Sequence, residues 1–164
     1  MPHVNTVQEA EAAVSYVRYY PEGRRGSDAG ASRSSAYGLQ GSSADYFRRA
    51  DDEILVAVWI EEPEGMGNLS DILQVPGIDV AHFGENDLAL AMGHPGQRDH
   101  PAVQALLAEG QAKLKASGKI LLGMPKDLES ARRMLDAGER LIGVQVLHMW
   151  SRSARELINS LKDR

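Results

Sequence analysis

Four runs of consecutive apolar residues are spaced along this chain, and segments with a helical repeat of apolar residues lie between them. Each run is bounded by glycine, proline or charged residues, which is typical of a buried parallel strand. The four predicted strands cover residues 54–61, 78–87, 119–124 and 141–147. The intervening segments carry apolar residues three or four positions apart, which predicts amphipathic helices. The order is therefore one helix followed by four strand–helix units.

The predicted helices have recognisable ends. Thr6 and Glu9 have the spacing of a capping box, so a helix should begin there and end before Pro21. Pro101 suits the first position of a long helix, and Gly118 suits its end. Further helices are predicted after Asn68, from Asp127 to about residue 137 with Leu128, Ala131, Met134 and Leu135 buried, and near the C-terminus through Ala154, Leu157, Ile158 and Leu161.

Residues 23–43 break this alternation, because they are rich in glycine and serine and carry Arg24, Arg25 and Arg33. We interpret them as one loop of about 20 residues, a length that is usually functional or disordered inside a compact domain. Arginines on a glycine-rich loop can bind phosphate or carboxylate, and a flexible exposed loop is the alternative. A short helix at residues 45–50 should lead from this loop into the first strand.

Continuous apolar strands joined by helices predict an α/β fold whose parallel sheet is covered on both faces. A complete (β/α)8 TIM barrel typically needs about 250 residues, whereas this chain has 164. Residues 1–4 resemble the tail of a further strand, because a capped helix follows them at once. We therefore expect a fold of the TIM-barrel type represented by its second half, with residues 1–164 as a single partial barrel domain.

Composition narrows the classes of function. A net charge of -5 and a pI near 5.5 argue against nucleic acid, which favours clustered basic surface. The absence of cysteine excludes disulfides and thiolate metal sites. No apolar run approaches the roughly 20 residues of a membrane span, and the first residues lack the pattern of a signal peptide. We therefore expect a cytoplasmic protein with no nucleic-acid or membrane partner.

Glu61 and Asp87 stand where the first two predicted strands end. Ligands bind at the carboxyl ends of the strands in α/β folds. Two carboxylates that converge there would hold a hard divalent cation and leave room for a substrate oxygen. The alternatives are a solvated strand end for Glu61, which has Glu62 and Glu64 beside it, and a helix cap for Asp87.

Four segments carry motifs of a known family, namely residues 2–6 (PHVNT), 18–26 (RYYPEGRRG), 50–54 (ADDEI) and 84–96 (GENDLALAMGHPG). With these motifs the chain resembles the HpcH/HpaI aldolases over nearly its whole length. These enzymes are class II, metal-dependent pyruvate aldolases, and they are related to the phosphoenolpyruvate/pyruvate barrel enzymes. The last segment, with a glutamate-ending strand upstream, is the most specific of the four.

The resemblance implies a carbon–carbon lyase that reversibly cleaves 4-hydroxy-2-oxo acids to pyruvate and an aldehyde through a metal-stabilised enolate. Glu61 and Asp87 match the two protein ligands of a divalent metal, commonly magnesium, manganese or cobalt. The backbone N–H groups of Gly84, Glu85 and Asn86 match the segment that binds the carboxylate of pyruvate. A homo-oligomer is also implied, because family members are often hexamers that exchange the C-terminal helix.

Several positions depart from the family pattern. The segment commonly spelled Gly-Pro-Ala-Asp has Glu85 and Asn86 in its middle, and Trp59 stands where the family usually has a pyruvate-contacting glutamine. His82 lies inside a predicted strand, where we interpret it as a core or barrel-lining residue. The family's catalytic histidine, its neighbouring aspartate and its pyruvate-binding arginine are expected before residue 1. No residue of this chain is therefore assigned a catalytic role.

Two alternatives to an active aldolase follow from the same residues. A half barrel without its first strands would be a catalytically inactive truncated barrel or a binding module, and it should associate to cover its exposed strand edges. The arginines of the 23–43 loop instead favour a citrate-lyase-like relative that acts on a thioester or a phosphorylated acid.

Overall fold

The computed structural model describes residues 1–28 and 32–162 of the chain. Residue contacts divide the chain into two compact units, Met1–Leu121 and Leu122–Arg164. Within the described ranges the elements are, in chain order, α1 (Val7–Val17), a 3-10 helix (Arg33–Gly38), α2 (Ser43–Glu53), β1 (Ala57–Ile60), α3 (Pro63–Gly67), α4 (Leu69–Ile72), β2 (Val80–Phe83), α5 (Glu85–Ala91), α6 (Pro101–Ser117), β3 (Ile120–Gly123), α7 (Leu128–Asp136), β4 (Leu141–Ile142) and α8 (Val146–Lys162).

The described strands are all parallel and follow one another in chain order, β1-β2-β3-β4. Strand β1 pairs with β2 from Ala57 beside Val80 to Ile60 beside Phe83. The start of β3 pairs with β2, and its end pairs with β4. Parallel strands joined by helices confirm the predicted α/β class, and the alternation brings the carboxyl ends of β1 and β2 to one edge.

Helix α1 begins at the predicted capping box. The Thr6 hydroxyl accepts from the Glu9 N–H at 3.2 Å, and the Glu9 carboxylate accepts from the Thr6 N–H at 3.0 Å. These bonds satisfy backbone donors that a helix leaves free in its first turn. Ala10 and Ala13 are fully buried, so α1 packs through small side chains.

Helix α6 has both predicted ends. Pro101 occupies its first position, and His100 before it accepts the Ala102 N–H through Nδ1 at 3.3 Å. Gly118 closes the helix with a left-handed φ of 73°, a conformation that glycine adopts without steric cost. The apolar face of α6 enters the main core of the first unit, where buried side chains come from β1, β2 and the helices α4, α5 and α6.

Residues 1–4 lie beside β1 without forming a regular strand. The Trp59 N–H donates to the Met1 carbonyl at 2.8 Å, and the Val4 N–H donates to the Trp59 carbonyl at 3.1 Å. In a regular parallel pair, the two residues that bond to Trp59 would be two positions apart, as residues 1 and 3 are. Here they are residues 1 and 4, so the segment contains one extra residue, as in a β-bulge. His3 absorbs the extra length with a left-handed φ of 52°.

The predicted fourth strand over residues 141–147 is wrong in length. Strand β4 contains Leu141 and Ile142 alone, and Val146 and Leu147 already belong to α8. A continuous apolar run has no period that distinguishes a strand from a helix, so this boundary could not be read from it.

The predicted burial of the α7 face is also wrong. Leu128 is 65% exposed and Leu135 is 60% exposed in the described second unit, while Ala131 and Met134 are half-buried. The periodicity correctly indicated a helix, because Asp127 caps it by accepting the Ser130 N–H at 2.7 Å. Amphipathic spacing shows which face is apolar and says nothing about what covers that face.

Two further segments differ from expectation. The helix expected after Asn68 is preceded by the extra helix α3, and the Asn68 side chain donates to the Asn5 carbonyl at 2.8 Å instead of capping α4. The 23–43 segment contains the 3-10 helix, and its residues 29–31 lie outside the described residues. The short helix predicted at 45–50 is the longer α2. The single partial domain over residues 1–164 stays a prediction.

None of the helices in residues 1–28 and 32–162 combines the length and the apolar character needed to cross a bilayer.

Candidate active site

The two predicted metal ligands lie at the same edge of the sheet. Ile60 and Phe83 form the last pair of the β1–β2 register, so Glu61 and Gly84 follow them directly. Asp87 is in the first turn of α5, three residues after Gly84. Asp87 is therefore inside the helix and is not its N-cap, which is Gly84. Their binding of a common cation stays a prediction.

Glu61 is a buried carboxylate, with only 4% of its surface exposed. The backbone N–H of His3 donates to its Oε1 at 3.0 Å. The burial contradicts the alternative of a solvated strand end. A carboxylate that is buried needs hydrogen bonds or a cation to offset its lost hydration, and the N–H of His3 supplies one of these.

Gly84 leaves the space that the Glu61 side chain occupies. A methyl group at Gly84 would lie 2.6 Å from the Glu61 Cβ and would overlap its Oε2. The Gly84 N–H donates to the Ile60 carbonyl at 3.0 Å, so it continues the strand ladder. Among the three predicted substrate-binding residues, the backbone N–H of Gly84 is therefore already engaged.

The other two predicted substrate-binding residues open helix α5. The N–H groups of Glu85 and Asn86 are in its first turn, where a helix provides no carbonyl acceptors of its own. The Glu85 side chain extends to Arg98, with 3.8 Å between Oε2 and Nη1. The Arg98 guanidinium offsets part of the negative charge that Glu85 adds beside the backbone N–H groups expected to bind the substrate carboxylate. Asn86 and Asp87 are exposed.

An aromatic pair lies on the same face of the sheet as Glu61. Trp59 and His82 are register partners on β1 and β2, with ring centroids 4.8 Å apart. Side chains alternate between the faces of a strand, so this pair and the Glu61–Gly84 pair are successive pairs on one face. His82 therefore lines this face, as its position inside a strand indicated, and it is half-buried.

The donor set suits a hard cation. Glu61 and Asp87 supply carboxylate oxygens, which magnesium and manganese prefer, and the space beside Gly84 accommodates the buried carboxylate. No group of three or more histidine, aspartate or glutamate side chains in the described residues could hold a metal ion. The family resemblance implies two protein ligands, and a cation held by Glu61 and Asp87 would keep positions for substrate and water.

Two arginines of the 23–43 segment, Arg24 and Arg25, contact aromatic rings near the end of α1. Arg24 stacks on the Tyr16 ring and Arg25 on the Tyr19 ring, with 4.2 and 4.7 Å from guanidinium carbon to ring centroid. Tyr16 is in the last turn of α1, and Tyr19 follows the end of that helix. A cavity of about 790 Å³ lies nearby, lined by residues that include Pro76 and Gly77, which precede β2. It is therefore at the edge where the strands begin.

Sequence reasoning missed His3 and Arg98. Each reaches the site through a contact with a residue distant in sequence, which a local pattern cannot reveal. The one local signal for His3 was its position at the end of the apolar tail before the capping box.

Comparison with known proteins identifies the family of this chain. A family model described as HpcH/HpaI aldolase/citrate lyase matches residues 1–151. A hydroxypyruvate/pyruvate aldolase of Sagittula stellata is 38% identical over 146 residues, which cover 89% of this chain and 56% of that protein. A 4-hydroxy-2-oxo-heptane-1,7-dioate aldolase of Escherichia coli is 35% identical, with coverage of 89% and 55%.

The fold is shared with a solved structure. An HpcH/HpaI aldolase/citrate lyase family protein from Burkholderia cenocepacia superimposes with a TM-score of 0.84 at 29% identity, over 99% of this chain and 63% of that chain. The chain spans a little over half the length of the curated relatives it matches. Its α/β fold is thus that of a TIM-barrel family, and the chain belongs to the HpcH/HpaI aldolase/citrate lyase family.

Proposed function

We propose that this chain serves a carbon–carbon lyase that cleaves 4-hydroxy-2-oxo acids to pyruvate and an aldehyde with the help of a divalent cation. The observation that carries the proposal is the position of Glu61 and Asp87 after two paired parallel strands. Relatives named aldolases, at 35 to 38% identity, support the reaction class.

Each residue has a defined task in this proposal. Glu61 and Asp87 would hold magnesium, manganese or cobalt through carboxylate oxygens. When bound, such a cation supplies positive charge that stabilises the enolate oxygen of the pyruvate product. The N–H groups of Glu85 and Asn86 would orient the substrate carboxylate, since first-turn N–H groups favour anions. No residue of this chain is assigned as catalytic acid or base.

Trp59 and His82 would form the floor of the substrate site. They precede Glu61 and Gly84 by two residues on the same face of the sheet, and their ring centroids are 4.8 Å apart. An apolar, partly water-excluded floor strengthens the electrostatic interactions above it. The ligand proposed to lie above this floor is a small 2-oxo acid such as pyruvate, the product of the cleavage.

The test is an aspartate-to-asparagine exchange at Asp87. The purified chain is assayed with 4-hydroxy-2-oxo acids and manganese, and pyruvate release is followed by coupled reduction. We expect Asp87→Asn to lower both the manganese affinity and the turnover by about 10- to 100-fold, because the charge of a metal ligand is lost.

Asp71→Asn is the matched control, since Asp71 is also an exposed aspartate in the first turn of a short helix, α4. The control should retain manganese affinity and turnover. Equal activity of Asp87→Asn and the unsubstituted chain would reject the assignment of Asp87.

A second candidate follows from the citrate-lyase half of the family description. This candidate is a relative that acts on a thioester or a phosphorylated acid. A binding module without turnover is the remaining alternative. Calorimetric titration with pyruvate, oxalate and an acyl-CoA separates these candidates. Binding of the acyl-CoA alone would favour the thioester branch, and binding of oxalate with manganese but without cleavage would favour the inactive module.

We also propose that the protein is a homo-oligomer. Helix α8 exposes a row of large apolar side chains, each more than half accessible: Val146, Leu147, Met149, Trp150, Leu157, Ile158 and Leu161. Such patches on a protein surface commonly mark association sites.

A further inference from the structure

His3 combines two unusual properties next to the proposed metal ligand. Its backbone is left-handed, with φ at 52°, which is uncommon for residues other than glycine, although histidine adopts it more often than most. Its N–H donates to Glu61 Oε1 at 3.0 Å, across 58 positions of sequence. A left-handed residue costs roughly 1 kcal/mol or more and persists where the surroundings enforce it.

The ring of His3 makes a second contact. Its Nδ1 is 2.9 Å from Glu62 Oε1 and 3.6 Å from Glu61 Oε1. Glu62 is the N-cap residue of α3, yet its side chain makes no capping hydrogen bond. The Glu62 carboxylate is therefore directed to the His3 ring and not to the helix it precedes.

We propose that His3 is a positioning residue of the Glu61 site. Its left-handed backbone aims an N–H at Glu61 Oε1, and the hydrogen bond of its ring to Glu62 keeps the backbone in that conformation. One oxygen of Glu61 is thereby engaged, and the space beside Gly84 accommodates the other, Oε2. This inference rests on the proposed function, in which Glu61 binds a divalent cation, and it names the residue that orients this ligand.

The experiment measures manganese binding by electron paramagnetic resonance on the full chain. His3→Ala removes the ring, so residue 3 can return to an extended conformation and turn its N–H away from Glu61. We expect about a tenfold loss of manganese affinity, the size typical when a group that orients a ligand is lost. His3→Asn should bind close to normally, because asparagine tolerates the left-handed region and its amide can donate to Glu62.

A double-mutant cycle separates positioning from general damage. If His3 acts through Glu62, Glu62→Ala should cost a similar tenfold, and the double variant should be no worse than either single one. If His3 and Glu62 acted independently, their two tenfold losses of manganese affinity would multiply to about a hundredfold in the double variant. Glu64→Ala is the control for lost charge, since Glu64 is an exposed glutamate two residues away, and it should bind manganese normally.

The outcomes are distinct. Normal manganese affinity in His3→Ala, or a multiplicative double variant, would overturn the role of His3 while leaving the proposed function intact. If the unsubstituted chain binds no manganese, the proposed metal site and this inference are both overturned. An unchanged near-ultraviolet circular dichroism spectrum identifies the variants that remain folded.

Discussion

A buried carboxylate needs neighbours that accommodate its charge and its volume, and two residues do so for Glu61. The His3 N–H donates to one carboxylate oxygen, and the absence of a side chain at Gly84 leaves space for the other. Gly84 does not need glycine for its backbone, because its φ is -78°. It needs glycine for space alone.

Gly84→Ala should therefore displace the Glu61 carboxylate. We expect a loss of about 1–3 kcal/mol in the free energy of unfolding from overpacking, together with at least tenfold weaker manganese binding. Urea denaturation and calorimetry measure the two effects.

Gly67→Ala is the control for Gly84→Ala. A Cβ at Gly67 would meet no atom within 4 Å, and this residue is also outside the left-handed region. It should be neutral or stabilising by up to about 1 kcal/mol. Equal destabilisation by both alanines would show that the contact with Glu61 is not the cause.

At the scale of elements, local signals decide where helices begin and end. The capping box of α1 is closed by Thr6 and Glu9 and is reinforced by the Asn5 N–H, which donates to Glu9 Oε2 at 2.7 Å. This box matters beyond its helix, because α1 follows the segment that brings His3 to Glu61.

Thr6→Ala should destabilise the chain by about 1 kcal/mol, because the Glu9 N–H loses its acceptor. Thr6→Ser retains the hydroxyl oxygen and should cost much less in the same urea denaturation. Similar losses for the two variants would show that the methyl group, and not the cap, carries the effect.

The contribution of the α1 cap to the stability of the fold should also depend on pH. The Asn5 N–H, and with it the Thr6 N–H, holds the pKa of Glu9 below its ordinary value of 4.5. A lowered pKa means that the carboxylate stabilises the fold above about pH 4.5, and that this contribution disappears as the pH falls through the folded-state pKa. The advantage of the natural chain over Glu9→Gln should therefore be present at pH 7 and absent in strong acid.

At the scale of the whole molecule, the two units differ in how much apolar surface they bury. Most large apolar side chains of the first unit are in its core, whereas the described helices of the second unit contain no buried residue. The apolar side chains of α7 and α8 are thus not buried within the second unit. This is the physical basis for expecting association through α8.

Leu157→Asp should reduce that association. A charge at the centre of the apolar row of α8 would have to be desolvated at an interface, so the mass measured by light scattering should fall toward that of a monomer. Asn159→Asp places the same charge on the opposite side of the helix and should leave the mass unchanged. A monomeric natural chain would contradict the proposed homo-oligomer.

Features that depend on residues close in sequence were predicted correctly, and features that depend on distant residues were not. Pro101, Gly118, Thr6 and Glu9 act on backbone groups within four residues, and the helix ends they predicted are confirmed. The length of β4 and the cover of α7 depend on distant partners, and there the sequence patterns were misleading.

The amino-acid pattern by itself determined the parallel α/β class and the order of the strands, and it predicted Glu61 and Asp87 at the ends of two successive strands. The end of the second strand was wrong, because β2 stops at Phe83 and Asp87 lies in α5. Periodicity and capping are properties of neighbouring residues, so they can be recognised without a structure. Only the tertiary structure decided that His3 contacts Glu61, that Gly84 leaves space for the Glu61 side chain, and that the ring of Trp59 contacts the ring of His82. These contacts join residues 23 to 58 positions apart, and they depend on strand register, which places side chains on a common face.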